Sequence, residues 1–223
     1  MGKLIVIEGV DSSGKQTQTE KLYKELLNRN LDVMTVAFPN YKSKSSELVK
    51  MYLGGEFGDD PEAVNPYTAS AFFAVDRVAS YKLEWQDKLA SDKIIIADRY
   101  TTSNMIHQAS KIDDIDEKNK FLDWVYDFEY NKLGLPKPDV VIFLDMPVKY
   151  AKILMASRPN KIDNSMVLDI HEGNEEYLNH SYENAVHVCE KYNWLRIKCV
   201  DGERIKTIDE IANEIINTVE KMI

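Results

Sequence analysis

Lys3-Leu4-Ile5-Val6-Ile7-Glu8-Gly9-Val10-Asp11-Ser12-Ser13-Gly14-Lys15 joins a short apolar run to two glycines and a lysine. The run from Leu4 to Ile7, rich in β-branched residues, reads as a buried parallel strand. The seven residues after Glu8 fit the G-x-x-x-x-G-K core of a phosphate-binding loop, the P-loop. Glycine permits backbone angles that turn successive N–H groups inward around a phosphate, and the helix that follows adds its positive end. Lys15 is then placed to neutralise the β- and γ-phosphates of a nucleoside triphosphate such as ATP. Gly9, Val10, Asp11, Ser12, Ser13, Gly14, Lys15, Gln16 and Thr17 form the expected ATP-binding set. The residue after the lysine, commonly a Ser or Thr whose hydroxyl meets Mg²⁺, is Gln16 here. Its amide oxygen is a substitute ligand for the metal or for one of its waters, and Thr17 is adjacent.

Working outward, Leu22, Leu26 and Leu27 fall on one helical face and predict a helix over 17–30. Apolar runs over 33–38, 93–97, 140–144 and 194–200 read as further strands, the first of them stopped by Pro39. Helical patterns cover 46–53, 67–90, 116–132, 148–157, 175–192 and 208–222. Strand and helix in alternation predict an α/β architecture, a five-stranded parallel sheet with helices on both faces. Ligands of such sheets sit at the carboxyl ends of the strands. The stretch 157–169, with Arg158, Pro159, Lys161 and Asn164, is polar and aperiodic. It reads either as a surface loop or as a mobile flap over a phosphate site.

The 223 residues suit a single domain, and 44% hydrophobic with 29% charged residues permits a packed core. A net charge of −9 argues against a nucleic-acid or membrane-surface binder, but not against a small anionic ligand held by a local positive site. No apolar stretch approaches a membrane span, and no signal peptide opens the chain. Cys189 and Cys199 have no metal-ligand spacing and define no disulfide framework, so a reducing, cytoplasmic setting is expected.

Asp98-Arg99-Tyr100 follows the run 93–97, so Asp98 and Arg99 should emerge at the sheet's carboxyl edge. Arg99 can grip a phosphate through its planar fork, and Asp98 can hold Mg²⁺ through water or orient an acceptor. The alternative is a plain strand-end ion pair. A P-loop serves GTPases, motors and small-molecule kinases alike, so it does not settle function.

Further segments narrow the choice: Phe38-Pro39-Asn40-Tyr41, Phe72-Phe73-Ala74-Val75-Asp76-Arg77, Asp98 through Asn104, and Leu133-Gly134-Leu135-Pro136-Lys137-Pro138-Asp139. In this order, with the loop before them, they resemble the thymidylate kinase family over nearly the whole chain. Those P-loop kinases transfer the γ-phosphate of ATP to dTMP, giving dTDP for dTTP synthesis. The resemblance implies a P-loop kinase fold, Mg²⁺, ATP and dTMP as substrates, and a homodimer. It implies that Phe73 stacks on thymine, Arg77 bonds a base carbonyl and Asn104 lies near the base edge. Arg99 corresponds to the arginine on the acceptor phosphate, and Asp11 to the carboxylate near the sugar 3′-hydroxyl and the metal. His107 falls where some members place a tyrosine against the sugar, and Phe38 and Tyr41 join the substrate side. The expected catalytic set is Lys15, Arg99, Asp98 and Arg158, and the expected metal set Asp11, Asp98 and Gln16.

Phe73 and Arg77 are four residues apart, on one helical face, which suits a planar base with a carbonyl on its edge. From the residues alone Phe72 and Phe73 would read as core. Asn40 and Tyr41 stand where many members carry an arginine after Phe-Pro. Ser12 and Ser13 stand where some carry a catalytic arginine, which moves that role to the flap, to Arg158 first and Lys161 second. Glu172 is either a further site residue or a solvated carboxylate. Two rivals stay open: a kinase of another nucleoside monophosphate or of a deoxynucleoside, and a P-loop protein without catalysis, which Gln16 keeps alive.

Overall fold

The computed structural model describes residues 2–155 and 174–222. Strand β1 (Lys3–Glu8) alternates its side chains between two cores: Ile5 and Ile7 enter one, Leu4 and Val6 the other. Helix α1 (Lys15–Asn28) covers the first face with Leu22 and Leu26. Strand β2 (Val33–Ala37) follows, then α2 (Glu47–Leu53) and α3 (Pro66–Ser80). Asn65 caps α3 by accepting from the amide of Thr68 at 2.9 Å. A π-helical turn, Tyr81–Trp85, carries α3 into α4 (Gln86–Ala90), and its Trp85 enters the second core.

Strand β3 (Ile94–Asp98) leads into the short α5 (Thr101–His107), and α6 (Ile115–Tyr126) runs on through a second π-helical turn, Asp127–Lys132. Phe121, Leu122 and Val125 of α6 pack in the second core. Strand β4 (Val140–Asp145), α7 (Val148–Met155), α8 (Glu175–Lys191) and β5 (Leu195–Lys198) follow. A small antiparallel hairpin, β6 (Val200–Asp201) with β7 (Arg204–Ile205), precedes α9 (Ile208–Val219). Ile211, Ile215 and Val219 of α9 return to the first core beside α1.

The five-stranded sheet has the order β2-β3-β1-β4-β5 and all its pairs are parallel, as the sequence predicts. The connection after β1 runs to one side of it and that after β3 to the other, which opens a crevice at the carboxyl ends of β1 and β3. Register places Ile7 beside Asp98, so the P-loop and the Asp98-Arg99 turn leave the sheet as neighbours.

Some elements differ from expectation. Helix α1 starts at Lys15 rather than at 17, and α9 ends at Val219 rather than at 222. The patterns 67–90 and 116–132 each contain a wide π turn, and β5 is shorter than 194–200. Helix α5 and the β6–β7 hairpin have no counterpart in the sequence reading; α5 is rich in hydroxyl and amide side chains and shows no apolar period. The expected flap, 157–169, with Arg158 and Lys161, and Glu172 beyond it, lie outside the described residues. Among the described residues no helix is long and apolar enough to cross a membrane.

Candidate active site

The loop between β1 and α1 needs its glycines for two different reasons. At Gly9 a Cβ would lie 2.5 Å from Ser13 Oγ and 3.1 Å from the Leu144 carbonyl oxygen, so there is no room for a side chain. Gly14 has open space around it but a φ of 88°, the left-handed conformation that side chains resist. As the residue preceding α1 it offers no side-chain cap to the first-turn amides. Lys15 folds back along the loop, its ammonium donating to the carbonyls of Gly9 at 2.9 Å and Val10 at 2.7 Å. Ser13 Oγ is buried with no hydrogen-bond partner among the described residues. Val10 is buried in the first core, whereas Gln16 and Thr17 are exposed, and the Gln16 amide donates to Glu20 at 3.4 Å.

Arg99 stands across from this loop. Its backbone is left-handed (φ 67°), and its guanidinium bonds the Asp11 carboxylate and, at 2.8 Å, His107 Nε2. Burial opposes the charge of Arg99, but Asp11, then Glu8 and Asp98, raise its pKa above the ordinary value. A guanidinium only donates, so His107 Nε2 is the acceptor of that bond. His107 stacks on Tyr177 with ring centres 6.4 Å apart. Asp98 is half-buried at the end of β3.

Beneath this pair lies a carboxylate without a role in the sequence reading. Glu8 is 0% exposed and accepts from the Tyr100 amide at 3.1 Å, Thr102 Oγ1 at 2.7 Å and Ser103 Oγ at 2.8 Å. Burial pushes its pKa up, against the pull of Arg99, Thr102, Ser103 and Lys15. The turn that carries Arg99 is thus held from the strand that carries the P-loop.

A second buried carboxylate, Glu129 in the π turn after α6, holds the same segment from the other side. It forms a two-armed ion pair with Arg77, 2.7 Å on each arm, with the side chains 1% and 0% exposed. It also accepts from Thr101 Oγ1 at 2.9 Å and from Asn104 Nδ2 at 2.8 Å. Arg77 Nη1 donates further to the Tyr100 carbonyl at 3.3 Å, and Asn104 Nδ2 to the Ser70 carbonyl at 3.2 Å. The expected base readers Arg77 and Asn104 therefore share one anchor.

Phe73 is half-buried and meets Tyr52 edge to face at 6.2 Å, in a small cluster that also holds Tyr41 and Phe72. Phe38 is buried in the second core against Tyr100, with ring centres 6.0 Å apart. Asp76, fully buried in α3, accepts from the Asn40 amide at 2.7 Å and Ser45 Oγ at 2.6 Å, tying the Phe38–Tyr41 turn to the helix that bears Phe73 and Arg77.

The structure thus brings Asp11, Lys15, Arg99 and His107 to the crevice, and Arg77 with Asn104 beside them. Glu8, Asp76 and Glu129 were missed. For Glu129 a signal existed, since its spacing from Phe121 and Val125 puts it on the buried face of the helix. Glu8 had a weaker one, as a carboxylate closing an apolar strand.

Known proteins resemble this chain in sequence and in fold. The family model described as thymidylate kinase matches residues 7–211. The chain is 35% identical over 149 residues to a thymidylate kinase of Mycobacterium tuberculosis, 66% of this chain and 68% of that protein. It is 28% identical over 224 residues to one of Plasmodium falciparum, covering 99% and 91%. Among solved structures, a thymidylate kinase of Candida albicans superposes with a TM-score of 0.69 at 23% identity, over 99% of this chain and 92% of that one, a likeness of fold. With a P-loop on β1, an arginine facing it from β3 and a family match spanning both, the chain belongs to the thymidylate kinase family.

Proposed function

We propose that the crevice transfers the γ-phosphate of ATP to dTMP, giving dTDP and ADP, with the work divided among the residues just described. The observation that carries this reading is the convergence of Lys15 from the P-loop and Arg99 after β3, with Asn104 a short way along the same segment and Arg77 of α3 tied to it through Glu129. The loop amides and Lys15 take the triphosphate. The Arg99 fork, freed in part from Asp11, takes the acceptor phosphate. An acceptor phosphate oxygen is already anionic, so alignment, charge neutralisation and exclusion of water are what the protein must supply.

At the base, Arg77 uses three of its N–H groups internally, and its remaining ones suit a carbonyl such as thymine O4. Asn104 has both amide N–H groups engaged, which leaves its carbonyl oxygen to accept from thymine N3–H. Phe73, half-buried, offers a ring face for stacking. His107 is proposed to border the sugar.

The donor set fits Mg²⁺, which takes one or two carboxylates beside substrate phosphates: Asp11 and Asp98 would supply hard carboxylate oxygens, and Gln16 an amide oxygen. Held there, such an ion would supply positive charge beside the ATP phosphates. Arg158, with Lys161 second, both outside the described residues, is proposed for the transferred group. A second copy of the chain would find apolar surface on α3 and the turn after it, where Val75 is 53% and Leu83 83% exposed.

The test is ADP release from ATP and Mg²⁺ with dTMP, dUMP, TMP with a ribose sugar, dCMP, dGMP and dAMP as separate acceptors. Turnover should be strongest with dTMP, and Lys15→Ala should lower kcat by about 10²-fold or more. Preference for another acceptor would overturn the base assignment. A Lys15→Ala protein as active as the parent would overturn the phosphate site.

A further inference from the structure

The buried carboxylate at the base end of the crevice does more than neutralise an arginine. Glu129 comes from the π turn after α6, far in sequence from the groups that it holds. One oxygen, Oε1, takes Arg77 Nη2 and Asn104 Nδ2; the other, Oε2, takes Arg77 Nε and Thr101 Oγ1. An Asn side chain can turn over, exchanging its donor and acceptor ends with little change of shape. Here it cannot do so freely. The Asn104 amide nitrogen faces two acceptors, the Glu129 carboxylate and the Ser70 carbonyl. Turning it over would set oxygen against oxygen in a buried site, which is costly. The same carboxylate takes Arg77 side-on through Nε and Nη2, which fixes the plane and direction of the fork.

We propose that Glu129 is a positioning residue for base selection: it locks Asn104 with its acceptor outward and Arg77 with its donors outward, so the site complements thymine and rejects cytosine. Thymine offers a donor at N3 and an acceptor at O4. Cytosine has the opposite order, an acceptor at N3 and an amino group at C4. Asn104 presenting oxygen and Arg77 presenting N–H would leave both cytosine groups opposed by like partners, the kind of mismatch that discriminates strongly. This rests on the proposal that Arg77 and Asn104 face the base.

The experiment measures kcat and KM for dTMP and dCMP with MgATP, in the parent protein, Glu129→Gln and Glu129→Asp. An amide at 129 must present N–H to one of the groups around it, and Arg77 cannot accept, so one arm of the fork is lost. Aspartate keeps the charge but is too short to hold Arg77 on both arms together with Asn104, and it covers the case in which the amide variant does not fold. The expected result is a KM for dTMP raised about 10-fold or more, a kcat changed less than about 3-fold, and a dTMP-over-dCMP ratio of kcat/KM lowered about 10-fold or more. A parent protein that prefers dTMP with variants that keep both its KM and its ratio would overturn the role of Glu129 alone. Variants that lose kcat at unchanged KM would overturn it too, by placing the effect on phosphate transfer. A parent protein with no preference for dTMP over dCMP would instead overturn the base-facing assignment on which the inference stands.

Discussion

Arg99 holds a left-handed backbone, a conformation that costs a non-glycine residue about 1–3 kcal/mol and survives only where neighbours over-determine it. The neighbours are visible: its amide donates to the Ile7 carbonyl at 3.1 Å, and the next amide, of Tyr100, donates to Glu8. The side chain then divides its fork between Asp11 and His107. Lysine would keep the charge and lose the fork, so Arg99→Lys should fold and yet lower kcat/KM for dTMP by about 10²-fold. Steady-state kinetics beside a thermal melt checks this, and an unchanged kcat/KM would remove Arg99 from the acceptor phosphate.

At the scale of elements, α9 shows how local chemistry sets a boundary. Thr207 Oγ1 accepts from the Glu210 amide at 3.2 Å while Glu210 accepts from the Thr207 amide at 2.7 Å, a reciprocal cap. Thr207→Ala should cost about 1 kcal/mol in urea unfolding, since α9 closes one face of the sheet. The Glu210 carboxyl is held down to about 2, by Arg204 first and by Thr207 next, from an ordinary value near 4.5. Its contribution is therefore complete above pH 4.5 and fades as pH falls toward 2. Strands were legible for a simple reason: β1 and β4 are buried nearly end to end and carry unbroken apolar runs. Helix α5 was not, because Thr101, Thr102, Ser103 and Asn104 are polar by residue type yet held by carboxylates from β1 and the turn after α6. Spacing disclosed Gly9, Lys15 and Arg99, since a phosphate loop and a strand end are local patterns. Glu8 and Glu129 act on residues about a hundred or a few tens of positions away, and nothing in a single sequence pairs them.

For the whole molecule, Lys111 is the clearest long-range tie. Its ammonium follows α5 and donates to Tyr52 Oη at 2.7 Å and to the carbonyls of Pro61 and Val64, pinning the α2–α3 connection. Burial lowers its pKa from 10.5 to about 8, against the pull of Glu62 and Asp60. Below pH 8 the fold bears the full cost of the buried charge; between about 8 and 10.5 it sheds a proton that the unfolded chain keeps. The folded state then binds fewer protons, so stability rises with pH. The parent protein should therefore gain stability relative to Lys111→Met as pH climbs through that window. Urea midpoints at both ends decide it, and a constant difference would contradict the shift. One consequence reaches the nucleotide itself. The segment 99–104 is gripped by Glu8 from one flank and Glu129 from the other, with Arg99 at its start and Asn104 at its end. On the proposed assignment it works as a calliper of fixed opening, with Arg99 as the jaw at the acceptor phosphate and Asn104 as the jaw at the base. A nucleoside without its phosphate would leave one jaw empty, so on that assignment the crevice selects for the phosphate as well as for the base.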